Sequence, residues 1–372
     1  MSITIRECTG ASDLKTFARL PYRIYRNNRY WIPPLLQDEI KSLSAAGNPA
    51  FAQCEAAFWL AEQQGRPVGR IAAIINREYN KKTGEAMGRF SRFECEQDPE
   101  AATLLLQTAE AWLKSKGMIG VHGPLGFNNL DGQGLLVEGF DQLPSIASTY
   151  HLPYYQKLIE DNGYEKENDW VEFRLTIGEV PEKALKLNES IKLRYKLKLI
   201  TFSDTKQLVP YAPKVFRLLN EAFAELPYVS PFSEEMITFY SNKYFKFLNP
   251  RFVKLIEDEQ GNMVAFIVSV PSLSSAMQKA NGSLFPFGWW HILQAFKKPK
   301  VADLFLTGID PKMQGQGVPA VLITELQKTM LDNGVKYVET TGIFETNHKA
   351  ITTWKNYEHI QHKRRRCYRK LF

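Results

Sequence analysis

The 372-residue sequence lacks the features that mark several common classes of protein. Its cysteines, Cys8, Cys54, Cys95 and Cys367, are scattered and never spaced as C-x-x-C, so neither a disulfide framework nor a zinc site is indicated. The six histidines do not cluster at metal-ligand spacing, and we expect no metal. No apolar run approaches membrane-spanning length, and the opening MSITIRECTG lacks the apolar core of a signal peptide. These absences predict a cytoplasmic protein with free thiols.

The composition that remains is that of a soluble globular protein, with 44% hydrophobic and 23% charged residues. The chain is long enough for two domains of ordinary size. Part of the formal net charge of +7 lies in the run from His362 to Lys370, which contains no acid. Such a run could meet nucleic acid, anionic lipid or coenzyme phosphates, form a solvated tail, or supply the last strand of the chain. Without an RNA-binding motif it gives only weak support for a nucleic-acid partner.

The stretch from Leu304 to Met330 predicts a buried strand, a glycine-containing loop and a helix. The strand is short, apolar and ended by Asp310-Pro311. The helix is indicated by apolar residues at a spacing of four, and it is closed by Asn333-Gly334. Glycines in the loop let backbone N–H groups turn toward one point at a helix N-terminus. Such an arrangement binds phosphate.

A dinucleotide-binding fingerprint is one interpretation of this loop. Gly315, Gly317 and Ala320 have the required spacing, with Glu339 about 20 residues further on. In that fold, however, the first glycine follows the strand directly, whereas residues 310–314 intervene here. Too little chain remains for the further strand–helix units that a dinucleotide fold needs. The context therefore argues against this interpretation.

The loop resembles instead the signature of the GNAT (Gcn5-related) N-acyltransferase superfamily, [Q/R]-x-x-G-x-[G/A] between a strand and a helix. Gln314, Gly317 and Pro319 occupy its three defined positions, after a strand that ends in Ile309-Asp310-Pro311. Pro319 departs from the small residue of the signature and removes one N–H group that could bind phosphate. The resemblance implies that acetyl-CoA or a longer acyl-CoA is the co-substrate.

The resemblance also implies which residues bind the coenzyme. Backbone N–H groups of the loop hold its pyrophosphate, those at the end of the preceding strand polarise the acyl carbonyl, and the asparagine of an N-x-x-A motif holds the pantetheine arm or orients the last helix. In this sequence the corresponding residues are Gly308, Ile309, Gln314, Gly315, Gln316, Gly317, Val318 and Asn347.

Three residues are candidates for proton transfer in a direct attack of an amine on the thioester. The position of the family's usual general acid, a tyrosine, holds Trp354, which cannot give a proton; Tyr357 lies one turn further. Glu339 at a strand end and Glu345 ahead of the last helix are the candidate bases, provided that partial burial raises the pKa of the carboxylate. A glutamate at either position is more often an ordinary surface residue.

The first half of the chain predicts the same order of hairpin, strand, helix and strand. Where the phosphate loop should stand it has Gln97-Asp98-Pro99-Glu100, without glycine and with two carboxylates that would repel a pyrophosphate. We therefore predict an α/β (α+β) fold of two tandem GNAT-like domains, each a mixed, mostly antiparallel sheet flanked by helices. Residues 1–180 form a degenerate domain, 181–198 a linker or crossing segment, and 199–372 the coenzyme-binding domain. Such doubling is known in N-myristoyltransferases, mycothiol synthases and Fem-type aminoacyl transferases.

Two further segments are candidates for acceptor contacts. The glycine- and asparagine-rich run GPLGFNNLDGQG could face the acceptor through Asn128, Asn129 and Asp131, or could be a plain surface loop. The aromatic segment Phe285–Phe296, followed by three lysines, is typical of a helix at a membrane interface. It could also line a tunnel for a long acyl chain or pack as core between the domains.

The sequence thus predicts an acyl-CoA-dependent N-acyltransferase that transfers an acetyl or longer acyl group to a small-molecule or lipid-like amine. One alternative is a long-chain acyltransferase acting on a lipid-like amine at the membrane surface. Another is a coenzyme-binding protein whose catalysis has decayed, as Pro319 and Trp354 would suggest. The sequence does not indicate the oligomeric state.

Overall fold

Short strands and amphipathic helices alternate along the chain in the computed structural model, which describes residues 2–245 and 248–372. Strands in these residues are β1 (Ile3–Glu7), β2 (Cys54–Gln63), β3 (Arg66–Asn76), β4 (Met87–Cys95), β5 (Gly120–Gly123), β6 (Leu135–Glu138), β7 (Glu165–Thr176), β8 (Lys198–Thr201), β9 (Val253–Glu257), β10 (Met263–Pro271), β11 (Val301–Ile309), β12 (Tyr337–Thr340), β13 (Ile343–Phe344) and β14 (His359–Leu371). Helices are α1 (Ala11–Ile24), α2 (Leu36–Ser42), α3 (Arg77–Thr83), α4 (Pro99–Ser115), α5 (Tyr154–Glu160), α6 (Glu182–Arg194), α7 (Thr205–Leu208), α8 (Ala212–Ala222), α9 (Glu234–Tyr244), α10 (Ser274–Ala280), α11 (Gly288–Lys297), α12 (Val318–Asp332) and α13 (His348–Thr353).

The two halves of the chain repeat one order of elements. Each has a first strand, helices, an antiparallel hairpin, a further strand, a long helix and another strand. The hairpins are β2–β3 and β9–β10, and the only parallel pairings among the described strands are β4 with β5 and β11 with β12. The predicted fold, α/β with mostly antiparallel sheets flanked by helices, is confirmed.

The long helices α4 and α12 cover the sheets with the apolar faces that their sequences predict. On α12 the buried side chains include Val318, Leu322, Leu326 and Met330, at spacings of four residues. Each buried side chain of this kind contributes roughly 1.5–3 kcal/mol relative to an exposed one. The helix ends where the sequence predicted, since Gly334 has a φ of 77° and lies in the left-handed region.

The last strand of each half pairs with the other half. The strand order is β1-β2-β3-β4-β5-β14-β7-β12-β11-β10-β9-β8, so β14 lies between β5 and β7. Strand β14 pairs with β5 of the first half, and β7 pairs with β12 of the second. The basic C-terminal run is therefore a central strand of a continuous sheet, as its interpretation as the last strand predicted, and it is not a solvated tail.

Carboxylates on β7 explain why so basic a strand can lie inside the sheet. Asp169 is fully buried, and its oxygens lie 2.9 Å from Arg366 Nε and 3.0 Å from Arg364 Nη1. Glu172 is also buried and lies 2.7 Å from Arg365 Nε and 3.6 Å from the Lys363 ammonium. Buried charges persist only when they are paired in this way.

We expect Glu172→Gln to lower the free energy of unfolding by roughly 3 kcal/mol, because Arg365 would lose its buried counter-charge. Urea denaturation at neutral pH measures the change. The control is Glu182→Gln, which breaks an exposed pair with Lys186 on α6 and should stay within about 0.5 kcal/mol of the unaltered protein. Equal effects of the two substitutions would contradict the role of the buried pairs.

Candidate functional site

The predicted phosphate loop joins β11 to α12 through two glycines in the left-handed region. Asp310 Oδ1 accepts a hydrogen bond from the Lys312 N–H group at 2.8 Å and turns the chain after the strand. Gly315 and Gly317 then both have a φ of 78°, which glycine adopts without strain. Gly317 is the residue immediately before α12, and it provides no side chain to cap the helix.

The N-terminus of α12 has free backbone donors. In the described part of the chain, no acceptor pairs with the N–H groups of residues 315–318. The Gln316 side chain donates to the Lys312 carbonyl oxygen at 2.9 Å, and its buried amide oxygen has no partner among the described residues. Free N–H groups and the helix dipole together make this a site that fits a phosphate group.

Helix α6, within the segment predicted as a linker, packs against this loop. A Cβ atom on Gly317 would lie 2.7 Å from Ile191 Cδ1, so the position accepts no larger residue without displacement of Ile191. Asn188 precedes Ile191 by one turn and is also buried. Neither atom of its amide has a partner in residues 2–245 and 248–372. An unpaired buried amide is a candidate ligand contact, and the sequence analysis missed it.

Strands β11 and β12 separate beside the loop. Their parallel pairing ends at Leu304 with Thr340, whereas β11 stays paired with β10 as far as Ile309. The pairing with β10 is shifted between Val268 and Ser269, which leaves Phe305 as an extra residue on β11. The Phe305 carbonyl oxygen accepts a hydrogen bond from the Thr341 hydroxyl at 3.3 Å. Apart from this contact, one backbone edge of residues 305–309, including the predicted Gly308 and Ile309, has no partner among the described strands and faces a gap next to the N-terminus of α12.

In the first half, the N-terminus of the corresponding helix α4 is capped by the side chain of Asp98. The Asp98 carboxylate accepts hydrogen bonds from the N–H groups of Glu100 at 3.0 Å and Ala101 at 3.1 Å. This carboxylate caps α4 where a phosphate would otherwise bind, and its negative charge would repel one.

The strand gap of the first half is closed as well. The parallel pairing of β4 with β5 covers only Met87–Arg89. Further along β4, the Cys95 N–H group donates to the Tyr155 hydroxyl at 2.9 Å, and the Tyr154 hydroxyl donates to the Cys95 carbonyl oxygen at 2.7 Å. Aromatic side chains thus fill the place that corresponds to the gap beside β11.

The candidate base Glu339 is held by two basic side chains. Its carboxylate oxygens lie 2.5 Å from Arg174 Nε and 2.7 Å from His362 Nε2. Burial acts to raise the pKa of Glu339, but His362 and Arg174 outweigh it and keep the pKa below its ordinary value. This direction is opposite to the one that a general base requires.

The other candidate base, Glu345, lies among the charges of β7 and β14. Its carboxylate is 2.6 Å from the Lys166 ammonium and 2.9 Å from Arg364 Nη1. Its backbone N–H group also donates to the Asp169 carbonyl oxygen. These contacts tie Glu345 to the ion pairs that hold β14 in the sheet.

Tyr357 lies on the α12 side of the sheet. Helix α13 ends at Thr353 and a 3-10 turn follows, so the predicted helix does not continue to Tyr357. The Tyr357 hydroxyl donates to Gln327 Oε1 of α12 at 3.2 Å, and burial raises the pKa of this tyrosine. Trp354 and Tyr357 line a small apolar cavity of about 20 Å³ with Leu304 of β11. The hydroxyl is thus close to β11 but already hydrogen bonded.

Asn347 acts as a helix cap. Its side-chain oxygen accepts a hydrogen bond from the Ala350 N–H group at 3.1 Å, at the start of α13. Of the two roles that the resemblance implies for this asparagine, the contact corresponds to orienting the helix.

The candidate acceptor loop lies between the two halves. Asn128 is buried and donates from Nδ2 to the Tyr240 hydroxyl of α9 at 2.8 Å. Asp131 accepts from the Phe127 N–H group at 2.7 Å, and burial raises the pKa of its carboxyl. Both amide atoms of Asn129 are buried without a partner among the described residues. The run is therefore largely buried and is not a plain surface loop. Of Asn128, Asn129 and Asp131, Asn129 is the residue whose side chain makes no hydrogen bond to the described residues.

Asp303 on β11 is an ionisable residue that the sequence analysis missed. It is fully buried and lies across the β11–β12 pairing from Glu339. The Ser145 hydroxyl donates to its Oδ2 at 3.0 Å, and Oδ1 has no partner in the described part of the chain. Burial raises the pKa of Asp303 to about 7, against the hydrogen bond from Ser145. An acid inside the apolar run VADLFL was the available sequence signal.

Asp303 is therefore the strongest candidate for proton transfer near the gap. It precedes the extra residue Phe305 by two positions, where β11 and β12 begin to separate. A carboxyl group with a pKa near neutrality can both accept and release a proton at physiological pH.

The sequence is similar to those of two curated proteins. No family model matches the sequence. Over 92% of its length the chain is 30% identical to Protein YghO of Escherichia coli (strain K12) and covers 89% of it. It is 28% identical to a bacterial ceramide synthase of Caulobacter vibrioides (strain NA1000 / CB15N), with 92% of this chain and 90% of that protein covered.

Solved structures give the same fold. A tandem GNAT protein from the clavulanic acid biosynthesis pathway has a TM-score of 0.55 at 14% identity, with 100% of this chain and 98% of that chain covered. A GCN5-related glucosamine N-acetyltransferase region of a fungal multi-domain β-N-acetylglucosaminidase has a TM-score of 0.58 at 11% identity; the alignment covers 99% of this chain and 38% of that longer protein.

These likenesses show a GNAT fold built from two tandem GNAT-like halves, as the sequence predicted. The chain belongs to the same family as Protein YghO. Among the described residues, no helix is long and apolar enough to cross a membrane, and no group of three or more His, Cys, Asp or Glu side chains is placed to hold a metal ion.

We expect Asp303→Asn to change how stability depends on pH. The folded protein keeps a proton on Asp303 up to about pH 7, whereas the unfolded chain releases it near pH 4, so ionisation destabilises the folded state across that range. Relative to the variant, the unaltered protein should lose up to about 4 kcal/mol of unfolding free energy between pH 4 and pH 8. Urea denaturation at several pH values tests this. Asp332→Asn, at an exposed carboxylate on α12, controls for lost charge, and parallel curves for Asp303→Asn and the unaltered protein would contradict the assignment.

Proposed function

We propose that the chain is an acyl-CoA-dependent N-acyltransferase that binds the coenzyme in its second half and acylates a long-chain, lipid-like amine. One observation carries the coenzyme part: the uncapped N-terminus of α12 adjoins the unpaired edge of β11. The first half offers no equivalent, because Asp98 and Tyr155 occupy the corresponding places.

Each part of the site has a role in this proposal. The coenzyme, when bound, supplies an acyl thioester. The N–H groups of residues 315–318 would hold its phosphates, with Asn188 as an additional polar contact. Backbone N–H groups on the unpaired edge of residues 305–309 are the donors available to polarise an acyl carbonyl oxygen.

An amine attacks a carbonyl carbon only as the free base, so the site needs a proton acceptor. Asp303 is assigned this role, because burial gives it a pKa of about 7. Glu339 stays ionised beside it, since Arg174 and His362 hold its charge. Glu345 and Tyr357 are already engaged in other contacts, and we assign them no proton transfer.

The acceptor class rests on the likeness to the bacterial ceramide synthase. A ceramide is an amide of a fatty acid with a long-chain amine, so its formation is an N-acylation of a lipid-like acceptor. The exposed aromatic helix α11 supports such an acceptor as well, because it gives the surface of the protein an apolar region.

A coenzyme-binding protein without catalysis is the second candidate. Trp354 at the position of the usual acid favours it, as does Pro319 in the phosphate loop. Departure of the thiolate does not require a protein acid, however, because water can protonate it. Both candidate functions predict that the protein binds coenzyme A, but only the acyltransferase predicts turnover of an acyl-CoA.

We expect coenzyme A to raise the thermal midpoint of the protein. At a coenzyme concentration of 100 times its dissociation constant, binding should add about 2.7 kcal/mol to the free energy of unfolding. Gly317→Val should abolish this shift, because its side chain would collide with Ile191 at the loop. The control Gly334→Val imposes the same positive φ at the far end of α12, where nothing lies within 4 Å of a Cβ atom. A full coenzyme shift in Gly317→Val would contradict the placement of the site.

Thiol release from palmitoyl-CoA, measured with a thiol reagent, should require a long-chain amine. A short amine with the same polar end should react more slowly. Asp303→Asn should lower kcat by about 100-fold or more with little change in KM for the acyl donor, and the rate of the unaltered enzyme should rise with pH through about 7. Coenzyme binding without any thiol release would instead support the non-catalytic candidate.

A further inference from the structure

Helix α11 and the turn before it form an apolar surface that the described residues do not cover. We call residues 283–300 the aromatic hairpin arm. Of the sixteen large hydrophobic side chains exposed in the described part of the chain, six lie in this arm: Leu284, Phe285, Phe287, Trp289, Trp290 and Leu293. Gly288 is the only buried residue of α11 itself. The apolar residues therefore cluster where no element packs over them.

The arm is firmly attached to the first half of the chain. The Gln278 amide on α10 donates to the carbonyl oxygens of Arg29 at 2.8 Å and Trp31 at 3.2 Å. The Leu36 N–H group donates to the Gly282 carbonyl oxygen at 3.0 Å, and Gly282 packs directly against Tyr22. The exposed aromatics are thus presented on a fixed base.

The segment that contains the arm and the N-terminal segment that holds it are rich in cationic side chains. Residues 263–302 contain four lysines and no carboxylate, and residues 14–37, which include the attachment segment, contain five cationic side chains and no carboxylate. Arg23 pairs with Glu96, but the ion pairs among the described residues include neither Arg26 and Arg29 nor the lysines of the arm. The unneutralised charges therefore favour an anionic partner.

A cavity of about 560 Å³ lies between the N-terminal segment and the end of α10, the helix that precedes the arm. Its lining includes Arg26, Asn27 and Arg29 from one side and Gln278 and Asn281 from the other. Guanidinium and amide groups on both walls suit a phosphate-bearing headgroup.

We propose that the aromatic hairpin arm, together with Arg26 and Arg29, docks the protein on a bilayer that contains anionic phospholipid. Trp289, Trp290, Phe285 and Leu293 would enter the boundary between headgroups and acyl chains, with Lys297, Lys298 and Lys300 at the rim. A helix of ten residues is about 15 Å long, so it lies on the membrane and does not cross it. A second copy of the chain fits this face less well, because residues 263–302, which include the arm, carry no carboxylate to meet the cations of that copy.

Vesicle flotation in the absence of substrates tests the proposal independently of the proposed acyl transfer. The protein should float with vesicles of phosphatidylcholine and phosphatidylglycerol, less with phosphatidylcholine alone, and less at high salt. Phe285→Ser with Trp289→Ser should weaken binding at least about tenfold. The matched control, Ile119→Ser with Leu371→Ser, removes two exposed apolar side chains elsewhere and should bind normally.

The charged part of the surface has its own variants. Arg26→Gln with Arg29→Gln should weaken binding to anionic vesicles by about 10- to 30-fold, whereas Lys81→Gln with Lys206→Gln, exposed cations elsewhere, should have little effect. Brominated lipid should quench tryptophan fluorescence, and Trp289→Phe with Trp290→Phe should remove the quenching but keep flotation. Absence of flotation overturns the proposal. Equal binding to neutral and anionic vesicles would also overturn it. The same holds if the unaltered protein forms a dimer in solution and the variant Phe285→Ser with Trp289→Ser does not.

Discussion

Strand β14 crosses from the second half of the chain and pairs along most of its length with β7 of the first half. Neither half can close its sheet alone, because each provides the strand that the other needs. The crossing is electrostatically demanding, since it brings a run of arginines into the middle of the sheet. Asp169 and Glu172 on β7 make it feasible by pairing with those arginines.

The pairing of β7 and β14 with strands of the opposite half also determines which residues surround the site. Glu339 on β12 meets Arg174 of β7 and His362 of β14, so its two basic partners come from different halves. Asp303 is covered by Ser145, which also belongs to the first half. In the first half, Asp98 caps the corresponding helix and aromatic side chains fill the corresponding strand gap. The first half instead contributes residues that surround Glu339 and Asp303 of the second half.

Features that depend on nearby residues could be predicted from the sequence. The loop before α12 was predictable because glycine spacing, apolar periodicity and a terminal Asn333-Gly334 act within a few residues. The place of β14 was not, since Arg364 and its partner Asp169 are 195 positions apart. Asp303 was missed for the same reason, because its burial depends on a distant loop. Likewise, the direction of the pKa shift of Glu339 could not be judged without knowing that Arg174 and His362 contact its carboxylate.

Asp303 and Glu339 show how one environment can give two neighbouring acids different properties. Both are buried, and they are directly opposite each other on adjacent strands. Glu339 keeps its charge because Arg174 and His362 outweigh desolvation, and its negative charge adds to the burial that raises the pKa of Asp303. The negative charge of Glu339 thus helps to hold the pKa of Asp303 near neutrality, where the carboxyl can exchange protons. Loss of Arg174 would therefore act on both acids, because the Glu339 charge that raises the pKa of Asp303 would itself be less stable.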